Sequence, residues 1–148
     1  MKLQGAETMG RFIAMLHRMA NLYLGQELSH MNIGSGQYIY LAELFTRNGQ
    51  SQDELTRKIY VDKANTARAL KRLEDTGYVR RAMDENDKRV KRAYLNAPAL
   101  KIEDEFWAIL TKWSDVLTQG IPQARQRQLM EDLKTMMGNA AKHLESKT

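Results

Sequence analysis

The sequence predicts a mostly α-helical chain interrupted by one short β-hairpin. Three observations carry that expectation. Apolar residues recur at three- and four-residue spacing along most of the 148 positions. Two short β-rich runs, Tyr78 to Ala82 and Val90 to Leu95, flank a single polar stretch. Capping and breaking residues stand where each helical pattern stops.

From Met9 to Leu28, the residues Phe12, Met15, Leu16, Met19, Leu22 and Tyr23 share one helical face. The turn cluster Asn32-Ile33-Gly34-Ser35-Gly36 ends that helix. A second, short helix puts Tyr38, Leu41, Leu44 and Phe45 on its inner side and closes at Arg47-Asn48-Gly49. Ser51-Gln52-Asp53-Glu54 has the capping-box spacing, with Ser51 and Glu54 each able to bond the other's backbone N–H. A helix from Gln52 to Tyr60 then buries Leu55 and Ile59, and Val61-Asp62 breaks it. Asp62 is a good N-cap for the next helix, Lys63 to about Asp75, which buries Thr66, Leu70 and Leu73. Gly77 suits the left-handed residue that closes it.

Two short helices joined by a tight turn, the second of them basic, form a helix-turn-helix pattern. The β-runs that follow, around the polar loop from Met83 to Arg89, make it a winged helix-turn-helix. Asn96 caps a long helix whose first turn tolerates Pro98. Its apolar stripe is Ile102, Phe106, Ile109, Leu110, Trp113, Val116 and Leu117. Gly120-Ile121-Pro122 breaks it, and a last helix aligns Leu129, Leu133, Met136, Met137 and Ala140. The expected organisation is one integrated domain with an N-terminal dimerisation helix (1–33), a winged helix (34–96) and C-terminal dimerisation helices (97–148). The outer helices carry more apolar surface than so small a winged helix can cover. A homodimer is the expected use of that surplus; a fold-back into a monomeric bundle is the alternative.

Charge is distributed unevenly. The chain carries a net +5, yet Arg57 to Arg92 holds twelve basic and six acidic residues, a net of +6, and the remainder is near neutral at −1. A basic stripe on an otherwise neutral chain is an electrostatic footprint for a polyanion. Hydrophobic residues at 43% and charged residues at 28% indicate a globular chain. The absence of cysteine excludes a disulfide scaffold, a zinc ribbon and a thiol nucleophile. His17, His30 and His143 match no metal-ligand spacing, and no glycine-rich phosphate loop or hydrolase serine motif is present. The expectation is a non-enzyme without cofactor or metal. The opening MKLQGAETMG lacks the apolar core of a signal peptide, and no apolar run approaches the roughly 18 residues of a membrane span. The expected location is the cytoplasm, away from any membrane.

Several segments, in their order and spacing, carry a resemblance. They are Gln37-Tyr38, Ser51 to Leu55, Asp62 to Arg68, Lys71-Arg72-Leu73, Gly77 to Arg81, Asn86-Asp87-Lys88-Arg89 and Tyr94-Leu95. The chain resembles the MarR family of bacterial and archaeal transcriptional regulators over essentially its whole length. Two departures stand out. Gln50 replaces an apolar residue before the third helix, so the small extra strand there is expected to be weak. No cysteine stands in the first helix, which excludes the peroxide-sensing branch.

The resemblance implies a homodimer on a pseudo-palindromic double-stranded operator, acting as a repressor modulated by a small ligand. The alternative is a non-specific architectural or protein-interaction module. The resemblance places Arg89 of the wing in the DNA minor groove, with Asp87 orienting it or Arg81 at the wing's base, and Lys88 beside them. In the recognition helix Asn65 suits an adenine edge and Arg68 a guanine edge. Lys63, Lys71 and Arg72 suit phosphates, and Ser51 offers a hydroxyl or helix-terminus N–H to another. The competing role for Arg68 and Arg72 is a salt bridge with Glu74 or Asp75. His17, Tyr38 and Trp113 are candidate lining residues for a small anionic or phenolic ligand, the alternative being core or dimer-interface positions.

Overall fold

The computed structural model describes residues 7–147; residues 1–6 of the opening stretch read above lie outside the described residues. The element order is α1 (Met9–Glu27), α2 (Tyr38–Thr46), α3 (Gln52–Ile59), α4 (Lys63–Asp75), β1 (Val79–Met83), β2 (Lys91–Leu95), α5 (Ala97–Thr118) and α6 (Gln123–Glu145), with a 3₁₀ turn at Ser29–Met31. The fold is mostly α with a winged helix-turn-helix at its centre.

Local chemistry accounts for the boundaries. Thr8 caps α1, its hydroxyl accepting from the amide of Arg11. The capping box on α3 is complete: Glu54 N donates to Ser51 Oγ at 3.1 Å and Ser51 N donates to Glu54 Oε2 at 2.7 Å. That helix ends at Ile59, one residue earlier than expected, because Tyr60 takes a left-handed conformation (φ 60°) to make the turn into α4. At the other end of α4, Gly77 (φ 85°) lets its own amide reach Glu74 O and that of Tyr78 reach Leu73 O. This Schellman arrangement stops the helix and aims the chain into β1.

The hairpin pairs Val79 with Leu95 through Met83 with Lys91, antiparallel. The extra strand is reduced to one bridge, Ser51 with Arg92, beside which Ala93 N donates to Gln50 O at 2.9 Å. Gln50 itself is fully buried, and its amide donates to Glu43 O and Arg47 O, each at 2.8 Å. A polar residue occupies this core position because it closes the carbonyl end of α2.

The described residues form two compact units, divided after Trp113. The first holds the core: Leu24 and Leu28 meet Leu41 and Leu44 of α2, Leu70 and Leu73 of α4, and Phe106 of α5. On α2 the buried tyrosine is Tyr40; Tyr38, expected inside, is only half-buried. In the second unit Gly120 (φ 81°) makes the break between helices, and Gln126 donates to Ile121 O at 2.7 Å across it. No described residue of α6 is buried. Among the described residues, no helix is long and apolar enough to cross a membrane, and no group of three His, Cys, Asp or Glu could hold a metal ion.

Candidate nucleic-acid interface

The two faces of α4 do different work. Thr66, Ala69, Leu70 and Leu73 are buried, and the Thr66 hydroxyl meets the Tyr40 hydroxyl at 3.2 Å inside the core. That buried face orients α4 and so determines what points outward. Lys63, Asn65, Arg68, Lys71 and Arg72 are all exposed. Lys63 lies 3.9 Å from Asp53, Lys71 pairs with Asp75, and Arg68 donates to Asn65 Oδ1 at 2.6 Å. Exposed ion pairs of this kind contribute little to stability, so Lys63 and Lys71 can exchange a carboxylate for a phosphate at small cost. The competing pairs considered for Arg68 and Arg72 do not form. Asp75 takes Lys71, and Glu74 takes Arg81.

In the wing, Arg89 is the most exposed cation in the ion pairs, its side chain 91% accessible. It is nonetheless held in a fixed geometry. Nε donates to Asp87 Oδ1 at 3.1 Å and Nη2 to Oδ2 at 3.2 Å, while the Arg89 amide also reaches Oδ1. This fork presents the guanidinium at the wing tip and holds the Asp87 carboxyl below the usual carboxylate range. Lys88 is exposed beside it.

Sequence reasoning missed the residues that hold the wing to the body. Asp84 Oδ2 accepts from the amides of Asn86 and Asp87, both at 3.0 Å, and Oδ1 accepts from Arg92 Nε at 2.5 Å. Arg92 Nη1 then donates to Gly49 O at 3.1 Å and lies 3.7 Å from Glu54, so one side chain ties the wing loop to the start of α3. Two rungs away Arg80 lies over the Tyr94 ring at 4.4 Å. The available signal was cross-strand register, since Arg80 directly opposes Tyr94.

Three expectations need correction. Asp87 does not reach Arg81. Arg81 is partly buried, with Nη2 3.3 Å from Glu74 Oε1 and Nη1 3.2 Å from Gln52 Oε1, because its strand position faces α4 and α3. This pairing is the main cause holding the Glu74 carboxyl below its ordinary range. Ser51 is only 6% exposed, as the capping box and the bridge to Arg92 turn it inward. Trp113 stacks on Tyr23 with ring centroids 4.9 Å apart and does not line the crevice beside α4.

That crevice measures about 1310 Å³. His17 and Asn21 of α1, Tyr38 and Tyr40 of α2, and Arg68 and Arg72 of α4 contribute to it. Burial pushes the Tyr38 hydroxyl up from its ordinary pKa. Apolar rings beside cations suit a small anionic aromatic molecule.

Comparison with known proteins agrees with this fold. The MarR family model matches residues 33–91. A solved MarR transcriptional regulator from Methanosarcina mazei Go1 is 33% identical, with a TM-score of 0.87 over 90% of this chain and 96% of that one. The uncharacterized HTH-type transcriptional regulator YybA of Bacillus subtilis (strain 168) is 30% identical over 92 residues. That match spans 62% of this chain and 61% of YybA, less than two thirds of its length. A MarR family regulator of Listeria monocytogenes, solved in complex with 26mer DNA, shares the fold at a TM-score of 0.87 and 23% identity, covering 93% of this chain and 91% of that one.

Proposed function

The chain belongs to the MarR family of transcriptional regulators, and on that premise we propose that it is a homodimeric repressor of sequence-specific, double-stranded DNA binding. One observation carries the reading: the cations of α4 and the wing face outward together, with Arg89 both fully presented and fixed by Asp87. Arg89 enters the minor groove, where narrow A·T-rich segments attract a guanidinium. Asn65 and Arg68 face the base edges of the major groove, and Lys63, Lys71, Arg72 and Lys88 meet phosphates. Arg81 and Ser51 act from behind this surface, by holding the wing base and the start of α3.

A second copy covers the apolar faces of the outer helices. Phe12, Leu16, Met19 and Leu22 of α1, and Met130 and Met137 of α6, are exposed in a single chain. Contiguous exposed apolar faces mark association surfaces. A C₂ dimer would place its two recognition helices about one helical turn of DNA apart and repress by occluding a pseudo-palindromic operator.

A small anionic or phenolic ligand in the crevice beside α4 would contact Arg68 and Arg72, two of the cations offered to DNA. Ligand and DNA must then weaken each other reciprocally. The test is selection of duplexes from a random pool by the purified protein, followed by titration of the enriched duplex with salt. An inverted repeat with half-sites about one turn apart supports the reading; enrichment without a motif overturns it. Arg89→Ala should leave folding intact and lower the slope of log K against log salt by about 2 for two wings. An unchanged slope would remove Arg89 from the interface.

A further inference from the structure

The first turn of α4 contains more bonding than its cap requires. Asp62 Oδ1 accepts from the amide of Asn65 at 2.8 Å, which is the cap itself. Oδ2 accepts from Asn65 Nδ2 at 2.5 Å, and Asn65 Oδ1 accepts from Arg68 Nη2 at 2.6 Å. All three side chains are exposed on the outward face. A helix cap needs one carboxylate oxygen, so the second oxygen and the bond onward to Arg68 serve something else.

Donor and acceptor chemistry gives this chain a direction. A carboxylate only accepts and a guanidinium only donates, so the Asn65 amide has one allowed orientation between them. Reading adenine bidentately requires both Oδ1 and Nδ2 on the base edge. Here one Nδ2 hydrogen and one Oδ1 lone pair are already directed at protein partners, which turns the amide toward Asp62 and Arg68. Arg68 spends one of its five N–H donors on Asn65 and keeps the rest for a guanine O6/N7 edge. A guanidinium already held by a fixed acceptor loses less side-chain freedom when it docks.

Resting on the DNA-binding reading above, we infer that Asp62 and Asn65 are positioning residues that set the specificity of Arg68. The Asp62 carboxylate locks the Asn65 amide, and the Asn65 carbonyl oxygen locks the guanidinium. Asn65 is thereby reassigned from reader of adenine to orienter of the guanine reader. Neither residue has to touch a base for the preference at Arg68's base pair to depend on it.

The experiment uses the duplex enriched by the wild-type protein and all its single-base-pair variants, in competition binding. Asp62→Asn is the informative substitution. Asparagine caps a helix as well as aspartate, so α4 keeps its start. Its amide, however, would present a donor to the Asn65 donor, or force a flip that turns a donor toward Arg68. Asp62→Ser is a second variant that keeps the cap and loses the lock, and thermal melting confirms that both fold. Asp62→Asn and Asn65→Ala should each reduce discrimination about tenfold at the same base pair that Arg68→Ala flattens, within the range one bidentate contact supplies. Random-sequence duplex should bind Asp62→Asn unchanged or slightly tighter, since a negative charge has gone.

Retention of the full preference by Asp62→Asn, or flattening of a different base pair by Asn65→Ala, overturns the inference. The second result would return Asn65 to direct base reading. A wild-type protein that enriches no motif overturns the function reading and this inference with it. A motif whose preference at the Arg68 base pair survives Asp62→Asn in full overturns the inference alone.

Discussion

The contact between Thr66 and Tyr40 joins the recognition helix to the core, and its removal should be asymmetric. Both side chains are essentially inaccessible, and their hydroxyls meet at 3.2 Å across 26 positions of sequence. Thr66→Val keeps the side-chain shape but strands the Tyr40 hydroxyl in an apolar core. Leaving a buried hydroxyl unpaired costs about 1–3 kcal/mol. Tyr40→Phe strands the Thr66 hydroxyl instead, which can turn to the Asp62 carbonyl one helical turn back, already within reach of the Thr66 amide. That variant should lose only the net worth of one hydrogen bond, about 0.5–1.5 kcal/mol. The double variant removes both polar groups together and should cost less than the two single changes summed, with a coupling of about 1–2 kcal/mol. For a chain of this size the melting temperature of Thr66→Val should fall by about 4–8 °C. Urea unfolding at one fixed protein concentration measures all three, because the stability of a dimer depends on protomer concentration. If Thr66→Val costs no more than Tyr40→Phe, or if the two costs add, the hydroxyl pair does not hold α4 in place.

Two further outcomes follow from the same geometry. Gly49 and Gly77 both have positive φ, but an added Cβ finds open space at Gly77 and lies 3.0 Å from Tyr94 Cε1 at Gly49. Gly77→Ala should therefore cost only the left-handed penalty of about 1–2 kcal/mol, with Gly49→Ala clearly more destabilising in denaturant unfolding; equal losses would dismiss the Tyr94 clash. The Glu54 carboxyl is held below its ordinary range, first by the Ser51 amide and then by Arg47 and Arg92. A depressed folded pKa gives stability that is present above the unfolded value and lost as pH falls through it toward the folded one. Acid unfolding of Glu54→Gln should consequently show a shallower loss of stability than the wild type over about pH 2 to 5, and parallel profiles would refute a contribution from this carboxylate.

The readable part of the candidate site lies close together in sequence. Asp62 to Arg68 and Asp87 to Arg89 are separated by a few residues, so helical and turn geometry bring their side chains within reach without help from the rest of the chain. Arg92 was visible only as one basic residue among twelve, because Gly49 lies 43 positions away, before α3, and Asp84 meets it only across the closed hairpin. Asp87 was expected to orient Arg89 or Arg81; it holds Arg89, and the strand's pleat directs Arg81 toward Glu74 and Gln52. Trp113 suited a ligand by its chemistry, but the stacking partner that claims it, Tyr23, lies 90 positions away.

By itself the sequence determined the helices, their caps, the hairpin and the concentration of positive charge. Each of these depends on neighbours within about five residues, and a hydroxyl, carboxylate or glycine at a helix end acts the same way wherever that helix goes. The tertiary structure decided which cations are presented and which are consumed. The buried face of Thr66, Ala69, Leu70 and Leu73 orients α4, and Glu74 and Asp84 draw Arg81 and Arg92 into the scaffold while Arg68 and Arg89 stay outward. A charge pattern cannot distinguish those pairs, because a salt bridge depends on distance in space and the chain fixes that distance only once its core has closed.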